Sequence, residues 1–197
     1  MKIGYYIQGD TDEAFLKGLA RRWCPLAELA PGKFRGSSRE SFRREIKKAL
    51  IDLKNDKQCH ILVVLTDADA NTWREVKRRE FAKIPIECQH ISIFGVADRN
   101  IECWLALDRQ KLAQELACNI QNIPENDPSG FVKRLFGLGQ RDIEKEIAKE
   151  RVQSFVFSAP LKTWIENSGS FKDFYDQARR LAIQNHCQMP NELEAET

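Results

Sequence analysis

The run Ile61-Leu62-Val63-Val64-Leu65 constrains this chain more than any other stretch. A short run of β-branched residues and leucines, with no polar alternation, reads as a strand covered on both faces, the habit of parallel sheets. It stops at Thr66, and Asp67-Ala68-Asp69 follow. In open α/β sheets ligands bind outside the carboxyl ends of the strands, so the two aspartates are expected at a site. If the chain stays extended, side chains two apart share a face and both carboxylates project together. Hard oxygen donors so placed suit Mg2+, which takes one or two carboxylates and completes its shell with water and phosphate oxygens. The plain alternative is a polar turn in which Asp67 and Asp69 only cap the next helix.

The flanking segments alternate in character. Ile3 to Ile7 reads as a first strand with Gln8-Gly9 as its exit; Asp10 or Thr11 then caps a helix, Asp10 and Glu13 standing at capping-box spacing. Phe15, Leu16, Leu19 and Ala20 form its apolar stripe. Pro25, Pro31 and Gly32 break that pattern, which makes 24–38 a loop with room for a short strand near 33–35. A second helix over about 39–54 places Phe42, Ile46, Ala49, Leu50 and Leu53 on one face. The central strand spans about 59–66, a third helix starts near Thr72 and ends by Pro85, and Cys88 to Val96 is another strand leading into a helix over 101–107. Such alternation predicts an α/β fold, a mainly parallel sheet with helices on both faces.

Beyond Asp108 the chain reads as helical. Asp127-Pro128 starts one helix, 141–149 forms a charged one, and Pro160 precedes another with Leu161 and Trp164. Ser170 is placed as the N-cap of the last, which carries Phe171, Phe174, Ala178 and Leu181. The expected organisation is a core over 1–108, a helical extension over 109–190 packed on it, and a disordered tail over 191–197.

No apolar run approaches the ~18–20 residues a membrane span needs, and the start of the chain lacks the shape of a signal peptide, so no membrane and a cytoplasmic location are expected. The six cysteines contain no CxxC pair. Cys59, Cys88 and Cys103 fall in or beside apolar segments as small hydrophobes, and Cys59-His60 and Cys88-Gln89-His90 lack the second close ligand pair a zinc site requires. A formal net charge of only +2 hides local basic clusters. Arg39, Arg43 and Lys47 flank the second helix, and Arg74, Lys77 and Arg78 the third. These are candidates for nucleic-acid backbone contact, set against the commoner reading of a solvated helical face.

Three segments, each at a strand end, form an ordered set: Gln8-Gly9-Asp10-Thr11-Asp12, Thr66-Asp67-Ala68-Asp69 and Ile101-Glu102-Cys103-Trp104-Leu105. The set resembles the Toprim domain, and within it the nuclease domains of the overcoming-lysogenization-defect family and their small stand-alone relatives. In that pattern a glutamate and glycine end strand one, a second acid follows at i+4, a DxD follows the central strand, and a further acid lies downstream. The resemblance covers roughly 1–108. It implies a Toprim-like sheet and Mg2+ (or Mn2+) held by Asp67, Asp69, Asp12 and Glu102. It further implies metal-assisted phosphodiester hydrolysis in DNA or RNA, with Gln8 joining those four in the catalytic set. A defence or mobile-element setting and a partner protein such as an ATPase come with the same resemblance.

Gln8 departs from the pattern, standing where the family has glutamate. A neutral amide takes up no proton at ordinary pH and is a poorer Mg2+ ligand than a carboxylate. Either Asp10, Asp12 or Glu13 takes its place, or the chain is a catalytically impaired module that binds nucleic acid or docks a partner. A phosphatase or nucleotide-processing enzyme is a third reading, since fold does not fix substrate. Asp12, Glu13 and Glu102 also stand in first helical turns, where the helix dipole favours acids. Tyr5 and Tyr6 read as strand residues, Trp104 and Trp164 as core.

Overall fold

A computed structural model describes residues 1–32, 38–138, 143–187 and 189. The strand suggested near 33–35 and the tail over 191–197 lie outside the described residues. Four strands, β1 (Lys2–Tyr6), β2 (Glu28–Pro31), β3 (Ile61–Asp67) and β4 (Ser92–Ala97), pair in parallel in the order β2-β1-β3-β4. From β1 the chain moves outward to β2, then crosses back to β3 on the other side. The switch point of the sheet therefore lies between the carboxyl ends of β1 and β3.

Right-handed crossovers running in opposite directions place their helices on opposite faces. Accordingly α1 (Asp10–Trp23) covers one face, while α2 (Arg39–Asn55), α3 (Trp73–Phe81) and the short α4 (Ile86–Gln89) cover the other. Along β3, Ile61, Val63 and Leu65 join the core beneath α1, and Leu62 and Val64 join the core beneath α2 and α3. Burial on both faces is the physical reason for the unbroken apolar run.

The remaining helices are α5 (Ile101–Leu105), α6 (Arg109–Glu115), α7 (Ser129–Phe136), α8 (Ile143–Ser158), α9 (Leu161–Asn167) and α10 (Gly169–Gln184). They build onto the α1 face. Phe15 of α1 packs against Trp104 at 5.5 Å and Trp164 at 6.2 Å between ring centroids, and Trp164 meets Phe171 at 5.3 Å. Helices beyond residue 108 thus share one core with the sheet. Helix α8 approaches α1 closely at Gly18, where a Cβ would stand 2.8 Å from the Gln153 carbonyl oxygen. Helix α10 runs beside β4, and the Gln177 amide both accepts from Phe94 N–H (3.0 Å) and donates to Phe94 O (3.2 Å). That pair occupies the sheet edge as another strand would. No helix among the described residues is long and apolar enough to cross a membrane.

Local details differ from the sequence reading. β2 lies within the segment expected to be loop; as an edge strand of four residues it tolerates Pro31 and shows no periodicity. Cys88 is helical, because Pro85 opens α4, and β4 begins only at Ser92. The N-cap of α1 is Gly9 and that of α10 is Ser168, whose hydroxyl accepts the Phe171 N–H at 3.2 Å. Ser170 is buried and accepts the Trp104 indole N–H at 2.8 Å. Cys24 and Cys187 form a disulfide, with Cα atoms 5.3 Å apart, joining the end of α1 to the chain just past α10. Spacing alone carries no sign of that pairing.

Candidate functional site at the sheet switch point

β1 leaves the sheet through Ile7-Gln8-Gly9 and α1 begins at once, so Asp12 falls in its first turn. Its Oδ2 accepts the backbone N–H of Gly9 (3.1 Å) and of Gln8 (3.3 Å), which pins the carboxyl to the strand exit. Asp67 is the last residue of β3. Glu102, 4% exposed, sits in the first turn of α5, which is started just beyond β4 by Asn100; that side chain accepts the Cys103 N–H at 3.2 Å. Three carboxylates therefore issue from the carboxyl ends of β1, β3 and β4.

Two of them act on the third. The Asp12 carboxyl is pushed up to about 8, first by burial, then by the negative charges of Asp67 and Glu102, against the lowering effect of its two backbone hydrogen bonds. At neutral pH it is largely protonated. Because two N–H donors occupy Oδ2, the proton belongs on Oδ1.

Asp69 stands differently. The strand stops at Asp67, and Asp69 has φ 55°, in the left-handed region, so the extended continuation that would align it with Asp67 does not occur. Its N–H donates to Arg99 O at 2.9 Å, and Arg99 itself has φ 65°. Two left-handed non-glycine residues thus clasp the turns after β3 and β4. Such conformations cost about 1–3 kcal/mol each and gather at functional sites. Gln8 is half-buried; it contributes its backbone N–H, and its side-chain amide makes no hydrogen bond among the described residues.

Of the acids that could stand in for the missing glutamate, Asp10 and Glu13 are engaged elsewhere. Asp10 takes Lys145 at 2.8 Å and Lys149 at 3.2 Å; burial would raise its carboxyl, and these ammonium groups outweigh that and lower it. Glu13 accepts the Tyr5 hydroxyl at 2.7 Å and pairs with Lys17 at 2.9 Å. Asp12 is left as the member of this segment facing Asp67 and Glu102. Lys133 of α7 stands 3.4 Å from Glu102 and is half-exposed. The sequence reading missed Lys133, Lys145 and Lys149, since only long-range packing of α7 and α8 brings them here; the i, i+4 spacing of Lys145 and Lys149 is their one local signal.

The six basic candidates separate. Arg43 reaches Glu80 at 3.3 Å, and that carboxylate, 1% exposed, also takes Arg79 (2.8 Å) and Lys83 (2.6 Å). Lys77 donates to Asp173 at 2.6 Å. Arg74 lies over the Trp73 ring, 4.5 Å from its centroid. Lys47, Arg74 and Arg78 are exposed and make no salt bridge among the described residues, while the side chain of Arg39 lies outside them.

Among the described residues, no three His, Cys, Asp or Glu side chains stand close enough to hold a metal ion by themselves. No family model, curated protein or solved structure matches this chain.

Proposed function

We propose that the chain is a Toprim-like, divalent-metal-dependent nuclease that hydrolyses phosphodiester bonds in DNA or RNA in the cytoplasm. The observation that carries this reading is the placement of Asp12, Asp67 and Glu102 at the carboxyl ends of adjacent parallel strands, where the charges of Asp67 and Glu102 both reach Asp12. The donor set is all hard oxygen, which fits Mg2+ or Mn2+. Mg2+ is commonly held by one or two carboxylates plus substrate phosphate oxygens, so a three-ligand protein cage is not required. Asp67 with either Asp12 or Glu102 would hold the ion alongside phosphate oxygens, with Asp69 on the adjoining turn. Bound there, it supplies an activated water and stabilises charge on the phosphate and leaving oxygens.

The chain's own residues do the rest. The N–H groups of Gln8 and Gly9 hold Asp12 Oδ2 in place, which leaves Oδ1 as the atom that would face a bound cation. Lys133 balances Glu102. Exposed Lys47, Arg74 and Arg78 offer contacts to the nucleic-acid backbone. A defence or mobile-element setting, with a partner such as an ATPase, belongs to the same proposal through the resemblance.

The test is cleavage of single- and double-stranded DNA and RNA with Mg2+ or Mn2+. Weak nicking is expected, lost in Asp67→Ala and Asp69→Ala and raised in Gln8→Glu, where an added carboxylate strengthens the hold on the ion. Activity persisting in Asp67→Ala overturns the mechanism. Gln8 and the lack of a three-ligand group among the described residues favour a second reading, an impaired binding module. That reading stands if wild type and Gln8→Glu are both inert yet still bind oligonucleotides.

A further inference from the structure

A cleft of ≈ 590 Å³ opens between the β4–α5 turn, residues 124–128 and the head of α10. That volume falls in the range of small-molecule sites. None of Asp12, Asp67 and Glu102 lines it, yet it adjoins Glu102 along the chain and the Asp69 turn through a backbone bond. Its residue Cys103 follows Glu102, and its residue Arg99 bonds the backbone of Asp69.

Its chemistry is unlike that of an anion site. Arg109 pairs with Glu125 at 2.7 Å, and Arg99 donates to the Asn126 carbonyl, with Asp98 beside it to balance the charge. Two arginines and two acids cancel, which leaves little net attraction for a phosphate. What remains for a ligand is amide and apolar surface. Asn126 and Asn167 are exposed, and their side-chain amides make no hydrogen bond among the described residues. Each offers both donors and an acceptor. Pro124 and Pro128 supply apolar wall. A flat, neutral ligand with donors and acceptors on its edge and apolar faces matches this lining, and a nucleobase is such a ligand. At the rim, a Cβ on Gly169 would stand 3.8 Å from the Trp73 ring, the ring that carries Arg74. An exposed guanidinium is thus available for a phosphate beside the cleft.

We propose that this cleft holds the base of a nucleotide neighbouring the phosphate to be cut, an inference that rests on the nuclease reading. A base can enter only when unpaired, so the substrate class becomes single-stranded nucleic acid, with Asn126 and Asn167 reading the base edge.

The experiment titrates the ¹⁵N-labelled full chain with free nucleosides in the absence of metal. It also measures affinity for single-stranded oligonucleotides that are intact or carry one abasic site. The side-chain amide resonances of Asn126 and Asn167 should shift, and the Asn126→Ala/Asn167→Leu double variant should bind the intact strand about tenfold more weakly. Against a scanned abasic series, wild type should lose that same factor at one position and the double variant should not. Nucleosides that move no cleft resonance overturn the proposal. So does a double variant, folded by circular dichroism, that binds intact and abasic strands as wild type does. Because no metal is present, the two readings fail separately. Cleft shifts without cleavage in Mg2+ keep the subsite and remove the nuclease; cleavage without cleft shifts does the reverse.

Discussion

At the residue scale, Asp12 states the physics of the site: a carboxyl crowded by two others and partly withdrawn from water keeps its proton. In the unfolded chain it titrates near the ordinary value of about 3.9; in the folded chain it titrates at about 8. Between those values the folded state binds more protons than the unfolded state. The stability Asp12 contributes is therefore fully present below about pH 4 and is lost as pH rises through 8. Asp10, Glu13 and Glu80, whose carboxyls are lowered, act with the opposite sign; their stability is present above the ordinary carboxylate range and is lost as pH falls through their folded values. Urea midpoints measured from pH 5 to 9 should consequently fall more steeply in wild type than in Asp12→Asn. Identical slopes would mean that Asp12 titrates as an ordinary carboxyl.

At the scale of elements, the legible parts of the sequence were those in which burial leaves a pattern. β3 announced itself because both of its faces are covered, and α2 because one stripe of it is. β2 was illegible, since four edge residues ending in proline carry no period. The helix starts slipped by a residue or two for a related reason: Gly9 caps α1 through an extended backbone with no side chain, and Ser168 and Ser170 are chemically alike. The order of Asp12, Asp67 and Glu102 at strand ends could be read from spacing. The left-handed turn at Asp69 could not, because it is set by the clasp with Arg99 from another strand end. Nor could the fate of Arg43, which α3 captures through Glu80. That buried carboxylate ties α2 to α3, and Glu80→Ala should cost about 1.5 kcal/mol in urea unfolding, the low end for hydrogen bonds to a charged group, because the three cations it leaves reach water. A change under about 0.5 kcal/mol, typical of a surface pair, would contradict that role.

For the molecule as a whole, the helices past residue 108 are part of one core with the sheet, and the disulfide between Cys24 and Cys187 links the end of α1 to the segment after α10, 163 residues away in sequence. Closing so long a loop restricts the unfolded chain, and Cys187→Ser should lower the unfolding free energy of the oxidised protein by about 3–5 kcal/mol. Full reduction should bring wild type to the level of the variant; a wild type indifferent to reductant would show that the bond contributes nothing. The central claim concerns the switch point between β1 and β3, where the chain gathers its acids. Anomalous diffraction from a crystal soaked in Mn2+ tests it most directly. We expect a peak in that crevice, within about 2.0–2.2 Å of an Asp67 oxygen with Asp12 or Glu102 also coordinating, and no peak there in Asp67→Ala. A well-ordered crevice without Mn2+, in crystals saturated with the ion, would contradict the account.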